Sequence, residues 1–182
     1  IINTGVEIVE LDFPNELDKK EGPKHDAIFI RDPFITNQSG LAIILRAGHP
    51  ARRVENRVVK RYLEGLELEL IDMPNKSGIR ADGGEFYFCK KEKILFSGLQ
   101  RNTMKGVNFV AETFNVSKLI ILKGQGYHLD TFFTPVLDIN GNLSSLIACT
   151  SLIAKESKSQ LYKFADNLKI PIFEIPPNDA IG

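Results

Sequence analysis

The run FFTPVLDINGNLSSLIACTSLIAKESKSQLYKFADNL, residues 132–168, sets the frame for the rest of the chain. Two apolar stretches, Phe132–Leu137 and Leu143–Ala148, flank Asn140-Gly141, and Asn-Gly between apolar runs is the strongest short-range hairpin signal a sequence offers. A helix over Lys155–Leu168 follows, and Leu119–Leu122 just upstream reads as a strand. The local order is therefore strand, hairpin, helix.

The same order is written twice more upstream. In the middle unit Leu66–Ile71 is a strand, Phe86–Cys89 and Ile94–Phe96 form a hairpin around Lys90-Lys91-Glu92-Lys93, and Thr103–Phe114 is a helix. In the first unit Gly5–Leu11 alternates as a strand does, and Asp12–Lys24 is a charged loop with Pro14, Gly22 and Pro23. Ala27–Ile30 and Leu41–Leu45 then pair across Asn37-Gln38-Ser39-Gly40, and a helix carrying Val54, Val58, Tyr62 and Leu63 ends at Gly65. Isoleucine-rich Ile170–Ile175 opens a fourth unit. The helices begin near Arg52, Thr103 and Lys155, at spacings of 51 and 52. A constant period of this size marks repeated supersecondary units, here an internally repeated α/β architecture.

Composition leaves the architecture room and removes several function classes. The chain has 182 residues, 43% of them apolar, with twelve Phe and no Trp. Lys+Arg and Asp+Glu both total 23, so no basic field favours nucleic acid. No apolar run approaches the ~20 residues of a membrane span. Two cysteines, Cys89 and Cys149, are too few for a disulfide framework and lack metal-site spacing, which points to a reducing, cytoplasmic setting. The chain does not begin with Met, and the expectation is a part of a longer polypeptide.

The chemistry-bearing residues gather at the mouths of the units. Gly126-Tyr127-His128-Leu129-Asp130-Thr131 sets an imidazole and a carboxylate two apart; on an extended segment both would project from one face. Asp26, Asp32 and Asp130 can hold a planar cation, since a guanidinium pairs with carboxylates through parallel charge-assisted bonds. Arg52 and Arg101 can hold a carboxylate, while Asp82 and His128 can manage protons. Each has an ordinary structural explanation when taken singly: an Asp-Pro turn at Asp32, a first helical turn at Arg52, a Gly-Gly hairpin approach at Asp82, a helix cap at Asn102 or Thr103. Taken together they suit a ligand with a guanidinium at one end and a carboxylate at the other.

In order and spacing, FIRDPF (29–34), RAGHPARRVE (46–55), ADGGEF (81–86), GLQRNTMKG (98–106) and YHLDTFFTPV (127–136) resemble the guanidino-group-modifying, or pentein, superfamily. That superfamily holds the arginine deiminases, the dimethylarginine dimethylaminohydrolases and the amidinotransferases. The resemblance runs from about Gly5 to Pro177. It implies a propeller of ββαβ modules around a polar channel, incomplete in this chain, with residues 1–182 forming a single partial domain of about three full modules. It implies His128 as general acid/base with Asp82 as its partner, Asp32 and Asp130 on the substrate guanidinium with Asp26 beside them, and Arg52 and Arg101 on the substrate carboxylate. Glu85 stands where the family often has Asp.

The implied reaction is hydrolysis at the guanidino carbon through a covalent Cys-thiouronium intermediate, with no metal or organic cofactor. Its partner is a small guanidino substrate, and a homodimer is compatible with it. The family's nucleophilic cysteine has no match here; Cys89 and Cys149 read as buried structural thiols, so the nucleophile is expected beyond residue 182. Arg31-Asp32-Pro33 and His128-Leu129-Asp130 look more like deiminases and amidinotransferases, while the compact RAGHPARR segment looks more like dimethylargininases. Arginine and methylated arginine therefore both stand as substrates, with amidino transfer and non-catalytic binding of arginine-like ligands as the alternatives.

Overall fold

The computed structural model describes residues 28–180. Three modules with one plan follow one another among them. The first comprises β1 (Phe34–Thr36), β2 (Leu41–Ile44), α1 (Glu55–Glu64) and β3 (Glu69–Asp72). The second comprises β4 (Phe86–Cys89), β5 (Ile94–Ser97), α2 (Met104–Thr113) and β6 (Lys118–Ile121). The third comprises β7 (Phe133–Leu137), β8 (Leu143–Ala148), α3 (Lys155–Leu168) and β9 (Ile172–Glu174), and a short α4 (Pro177–Ala180) ends the described chain. In each module the first strand pairs antiparallel with the second, and the third pairs parallel with the second, giving three separate three-stranded sheets.

The expected repeat is present with its phase moved by one strand. Leu66–Ile71, Leu119–Leu122 and Ile170–Ile175 are expected to open new units; β3, β6 and β9 instead close the sheets before them. A helix of ten or more residues returns the chain alongside the strand it left, and a parallel crossover of this kind needs such an element. A second correction concerns Ala27–Ile30. Residues 28–30 are not a strand: Asp32 N–H bonds to Phe29 O at 3.1 Å and closes a turn, and the strand that meets β2 across Asn37–Gly40 is β1. The expected strand Gly5–Leu11 and loop Asp12–Lys24 lie outside the described residues.

Packing explains why the central strands read as continuous apolar runs. Ala42, Ile43 and Ile44 of β2 are all buried. Ala42 and Ile44 pack on Val59 and Leu63 of α1, whereas Ile43 and Leu45 join Phe86, Leu95, Val107 and Val110 of the second module. β5 divides likewise, Leu95 toward the first module and Ile94 and Phe96 toward the third. Alternate residues of one strand thus enter two cores, so adjacent modules hold each other in place. The Phe96 ring lies tilted at 5.0 Å from Phe133 and edge-on at 5.5 Å from Phe164, which anchors the second module to the third.

The helices bury one stripe each: Glu55, Val59 and Leu63 in α1, and Ser157, Leu161, Phe164 and Ala165 in α3. Thr103 is the cap of α2, its Oγ1 accepting from Gly106 N–H at 3.2 Å. Pro135 is tolerated in β7 because that strand lies at a sheet edge, where a missing N–H costs no ladder bond. Among the described residues no helix is long and apolar enough to cross a membrane.

Candidate active site

Each module carries its chemistry at the head of its first strand. Asp32 lies two residues ahead of β1, Asp82 four ahead of β4, and His128 and Asp130 five and three ahead of β7. Residues of β1, β4 and β7 line one cleft of about 420 Å³, so the approaches to these strands converge. Gly83 N–H donates to Asp32 O at 2.8 Å and joins the first two approaches. Asp82 N–H is held by Asn102 Oδ1 at 2.8 Å, and Asn102 in turn donates to Ser97 Oγ at 3.2 Å.

His128 and Asp130 meet by a route other than the expected strand. Leu129–Thr131 forms a single 3-10 turn, secured by Thr131 Oγ1 donating to His128 O at 2.7 Å, and the turn brings the carboxylate back under the imidazole. His128 Nδ1 stands 4.0 Å from both Asp32 Oδ1 and Asp130 Oδ1, and Nε2 stands 3.8 Å from Asp82 Oδ2. Asp32, Asp82 and His128 are all buried. Gly84 occupies the meeting point: a Cβ there would lie 2.6 Å from His128 Nδ1 and 3.0 Å from carboxylate oxygens of both Asp32 and Asp130. Any side chain would fill the space between the acids and the base.

The electrostatics follow from this crowding. Burial opposes the imidazolium of His128, but Asp82, Asp32, Asp130 and Glu85 outweigh it and raise the pKa above the usual imidazole range. Asp130 is also raised, by burial first, against the lowering charges of Arg31 and His128. Two guanidiniums brace the carboxylates. Arg52 Nη1 meets Asp32 Oδ2 at 2.8 Å while its Nη2 meets Glu55 Oε2 at 2.9 Å, and Arg31 Nε meets Asp130 Oδ2 at 3.2 Å. Arg31 also donates to Phe86 O at 2.6 Å and lies over the Tyr87 ring. Each carboxylate is thus anchored through Oδ2 with Oδ1 turned toward the histidine.

Two compartments meet here. One, about 510 Å³, is lined by Arg31, Asp32, Arg52, His128 and Asp130 together with Ile28–Ile30. The other, about 460 Å³, is lined by His49, Arg52, Arg80, Asp82, Gln100 and Arg101. Arg52 and Tyr127 belong to both. Arg101 lies over the Tyr127 ring, its Cζ 4.2 Å from the centroid, and no described carboxylate pairs with its guanidinium.

Six of the seven residues singled out from the sequence therefore gather around this pair of compartments; Asp26 lies outside the described residues. Arg52 sits between the compartments but is engaged by Asp32 and Glu55 rather than open to a ligand on all sides. Glu55, Glu85 and Asn102 were not expected at the site. Their sequence signal is proximity to Arg52, to Gly83-Gly84 and to Arg101, with Glu85 also standing in the ADGGEF segment, since a buried Glu and a surface Glu are written with the same letter. Cys89 and Cys149 are both buried and line neither compartment; burial, with Glu92 nearby, pushes the Cys89 thiol up to about 12. Among the described residues no group of three or more His, Cys, Asp or Glu is arranged to hold a metal ion.

Three modules of antiparallel hairpin, helix and parallel return strand, with acids and a histidine converging at the first strands, define the pentein-type α/β fold. Solved structures of that fold superpose on the chain. The N-terminal domain of ArgZ bound to product, an arginine dihydrolase from the ornithine–ammonia cycle in cyanobacteria, aligns with a TM-score of 0.70 at 19% identity, over 85% of this chain and 55% of that one. Unliganded AgrE aligns with a TM-score of 0.72 at 19% identity, over 85% of this chain and 22% of that one. A histidine-to-glycine variant of dimethylarginine dimethylaminohydrolase, as its adduct with S-methyl-L-thiocitrulline, aligns with a TM-score of 0.64 at 20% identity, over 85% and 56%. No family model matches the chain. At these identities the likeness establishes the fold, and the chain spans about half the length of the ArgZ domain.

Proposed function

We propose that this site belongs to a hydrolase acting on the guanidino group of arginine or a methylated arginine. The observation that carries the reading is the junction at Arg52 and Tyr127. An acid-lined compartment containing a histidine opens beside an arginine-lined one, and an arginine-like molecule has a cation and a carboxylate to fill them in that order. In this reading Asp32 and Asp130 hold the guanidinium flat, and Asp26 shares that role. Arg101 takes the carboxylate, with Arg52 at the junction, and Asp82 orients His128 through Nε2. A cysteine thiolate supplied outside the described residues adds to the guanidino carbon. The C–N bond to the departing amine breaks as His128 gives that amine a proton. His128 then takes one proton from water as the oxygen adds to the thiouronium carbon, and the C–S bond breaks as the hydroxyl so formed loses its proton to solvent, releasing a ureido product and restoring the thiolate. His128 sits at 3.8–4.0 Å from its carboxylates, a separation that ligand closure shortens in such sites.

Arginine-binding and arginine-processing neighbours of the same fold support the reading, as does the excess of carboxyls over guanidiniums around His128. One observation favours a second reading, a non-catalytic binder: neither described cysteine reaches the compartments. Incubating the complete protein with arginine and with N-methylated arginines, and assaying citrulline together with a cysteine adduct by mass spectrometry, separates the two. Citrulline with a trapped adduct supports the hydrolase, tight binding without product supports the binder, and transfer of the amidino group to added glycine replaces hydrolysis by amidino transfer.

A further inference from the structure

Behind the acid-lined compartment stands a carboxyl that the chemistry above leaves without a task. Glu85 is fully buried. Its Oε1 accepts the N–H of Arg101 at 2.8 Å, while its Oε2 has no hydrogen-bond partner among the described residues. A buried orphan oxygen costs stability and calls for a reason. The side chain fits only because residue 98 is glycine: a Cβ there would collide with Glu85 Oε2 and would also lie 2.6 Å from Gln100 Oε1. The two segments that Glu85 touches carry the two ends of the site. Arg101 reaches over Tyr127, the Tyr127 ring lies 4.6 Å from the His128 ring, and Gly84, next to Glu85 in the chain, packs on the imidazole so closely that a Cβ there would lie 2.6 Å from Nδ1.

We propose that Glu85 is a positioning residue that locks the Arg101 segment to the His128 turn, and that the charge on its carboxyl tunes the protonation of that histidine. The groups facing it are His128 from the turn before β7, Asp82 from its own turn, and the backbone N–H groups of Arg101 and Leu129; Asp32 and Asp130 stand at Nδ1 of the imidazole and Asp82 at Nε2. Burial, helped by Asp82, pushes Glu85 up to about 7 against the lowering pull of those N–H groups and His128. Near neutrality, then, the carboxyl passes between two states. Ionised, it grips the Arg101 N–H strongly and favours the imidazolium of His128; protonated, it gives up both effects. The catalytic meaning of this coupling rests on the hydrolase reading, but the coupling itself does not.

The test is a ring-proton NMR titration of His128 in the complete protein, unmodified and as Glu85→Gln, with the Arg101 amide followed in parallel. In Glu85→Gln the His128 midpoint should fall by about half a pH unit or more, because one favourable charge is gone. Glu85→Asp, which keeps the charge, should recover part of that fall. In the unmodified protein the Arg101 amide should titrate with a midpoint near 7, a readout that survives even if the variants fold poorly. A His128 midpoint indifferent to Glu85→Gln, or an Arg101 amide that moves only in the ordinary carboxylate range, overturns the inference. If both titrations respond as stated but arginine neither binds nor reacts, the hydrolase reading fails and the role of Glu85 stands.

Discussion

Arg52–Glu55 and Arg101–Glu85 are two pairings of the same residue types, and the fold uses them in opposite ways. Arg52 spends its guanidinium inside the protein: its side chain is 13% exposed, and Glu55 Oε2 and Asp32 Oδ2 take it at 2.9 and 2.8 Å. Arg101 is held by its backbone instead, with Glu85 Oε1 on its N–H, which leaves the guanidinium over Tyr127 and facing the second compartment. Residue type alone therefore does not say which arginine is a strut and which is a hand. Where the neighbouring glutamate makes its bond decides that.

The largest expected effect tests what both pairs surround. His128→Ala in the complete protein should lower kcat by about 10²–10⁴-fold while arginine still binds, since a general acid/base contributes on that order. Near-normal kcat in a steady-state citrulline assay would remove His128 from the chemistry. Next comes the strut: Arg52→Ala leaves Asp32 and Glu55 as buried, unpaired carboxylates and should cost about 3–5 kcal/mol of stability in urea unfolding. An unfolding midpoint equal to that of the parent would break the comparison on its first side.

A pH series sharpens the second side. Glu85 binds its proton more tightly folded than unfolded, so stability is highest below the ordinary carboxylate pKa of 4.5 and falls as pH rises through about 7. The full fall is roughly 3 kcal/mol on linkage grounds. Glu85→Gln should flatten that part of the stability–pH curve; an unchanged slope between pH 4.5 and 7 contradicts the assignment. The smallest effect belongs to the hand. Arg101→Ala should weaken arginine binding by about 1.5–3 kcal/mol, the value of a charged hydrogen bond, with unfolding almost unmoved. If calorimetry found parent-like affinity together with a collapsed melting temperature, Arg101 would be the strut and Arg52 the hand.

What could be read from the sequence was local. The hairpins at Lys90–Lys93 and Asn140-Gly141 and the helix Lys155–Leu168 carry their own signals in turn residues and spacing. The phase of the repeat was not legible, because nothing within Leu66–Ile71 says which of two flanking hairpins it will join; that depends on a crossover and a sheet edge far away in sequence. At the site, His128 and Asp130 were found together by short spacing although the geometry behind it was a 3-10 turn, not a strand. Glu85 is marked in the sequence only as standing where the resembling family often has Asp, and Glu55 only as the end of RAGHPARRVE; that both are buried is set by the folded surroundings, Arg52 around Glu55 and Gly98 beside Glu85.

Asp32, Asp82 and the His128–Asp130 turn share one address, the few residues before the first strand of a module. Tandem copying of a ββαβ module copies that address along with the scaffold, each time aimed at common ground. A lineage built this way can recast its chemistry by single codon changes, an acid in one copy and an imidazole in another, while the β-ladders that bear them stay untouched.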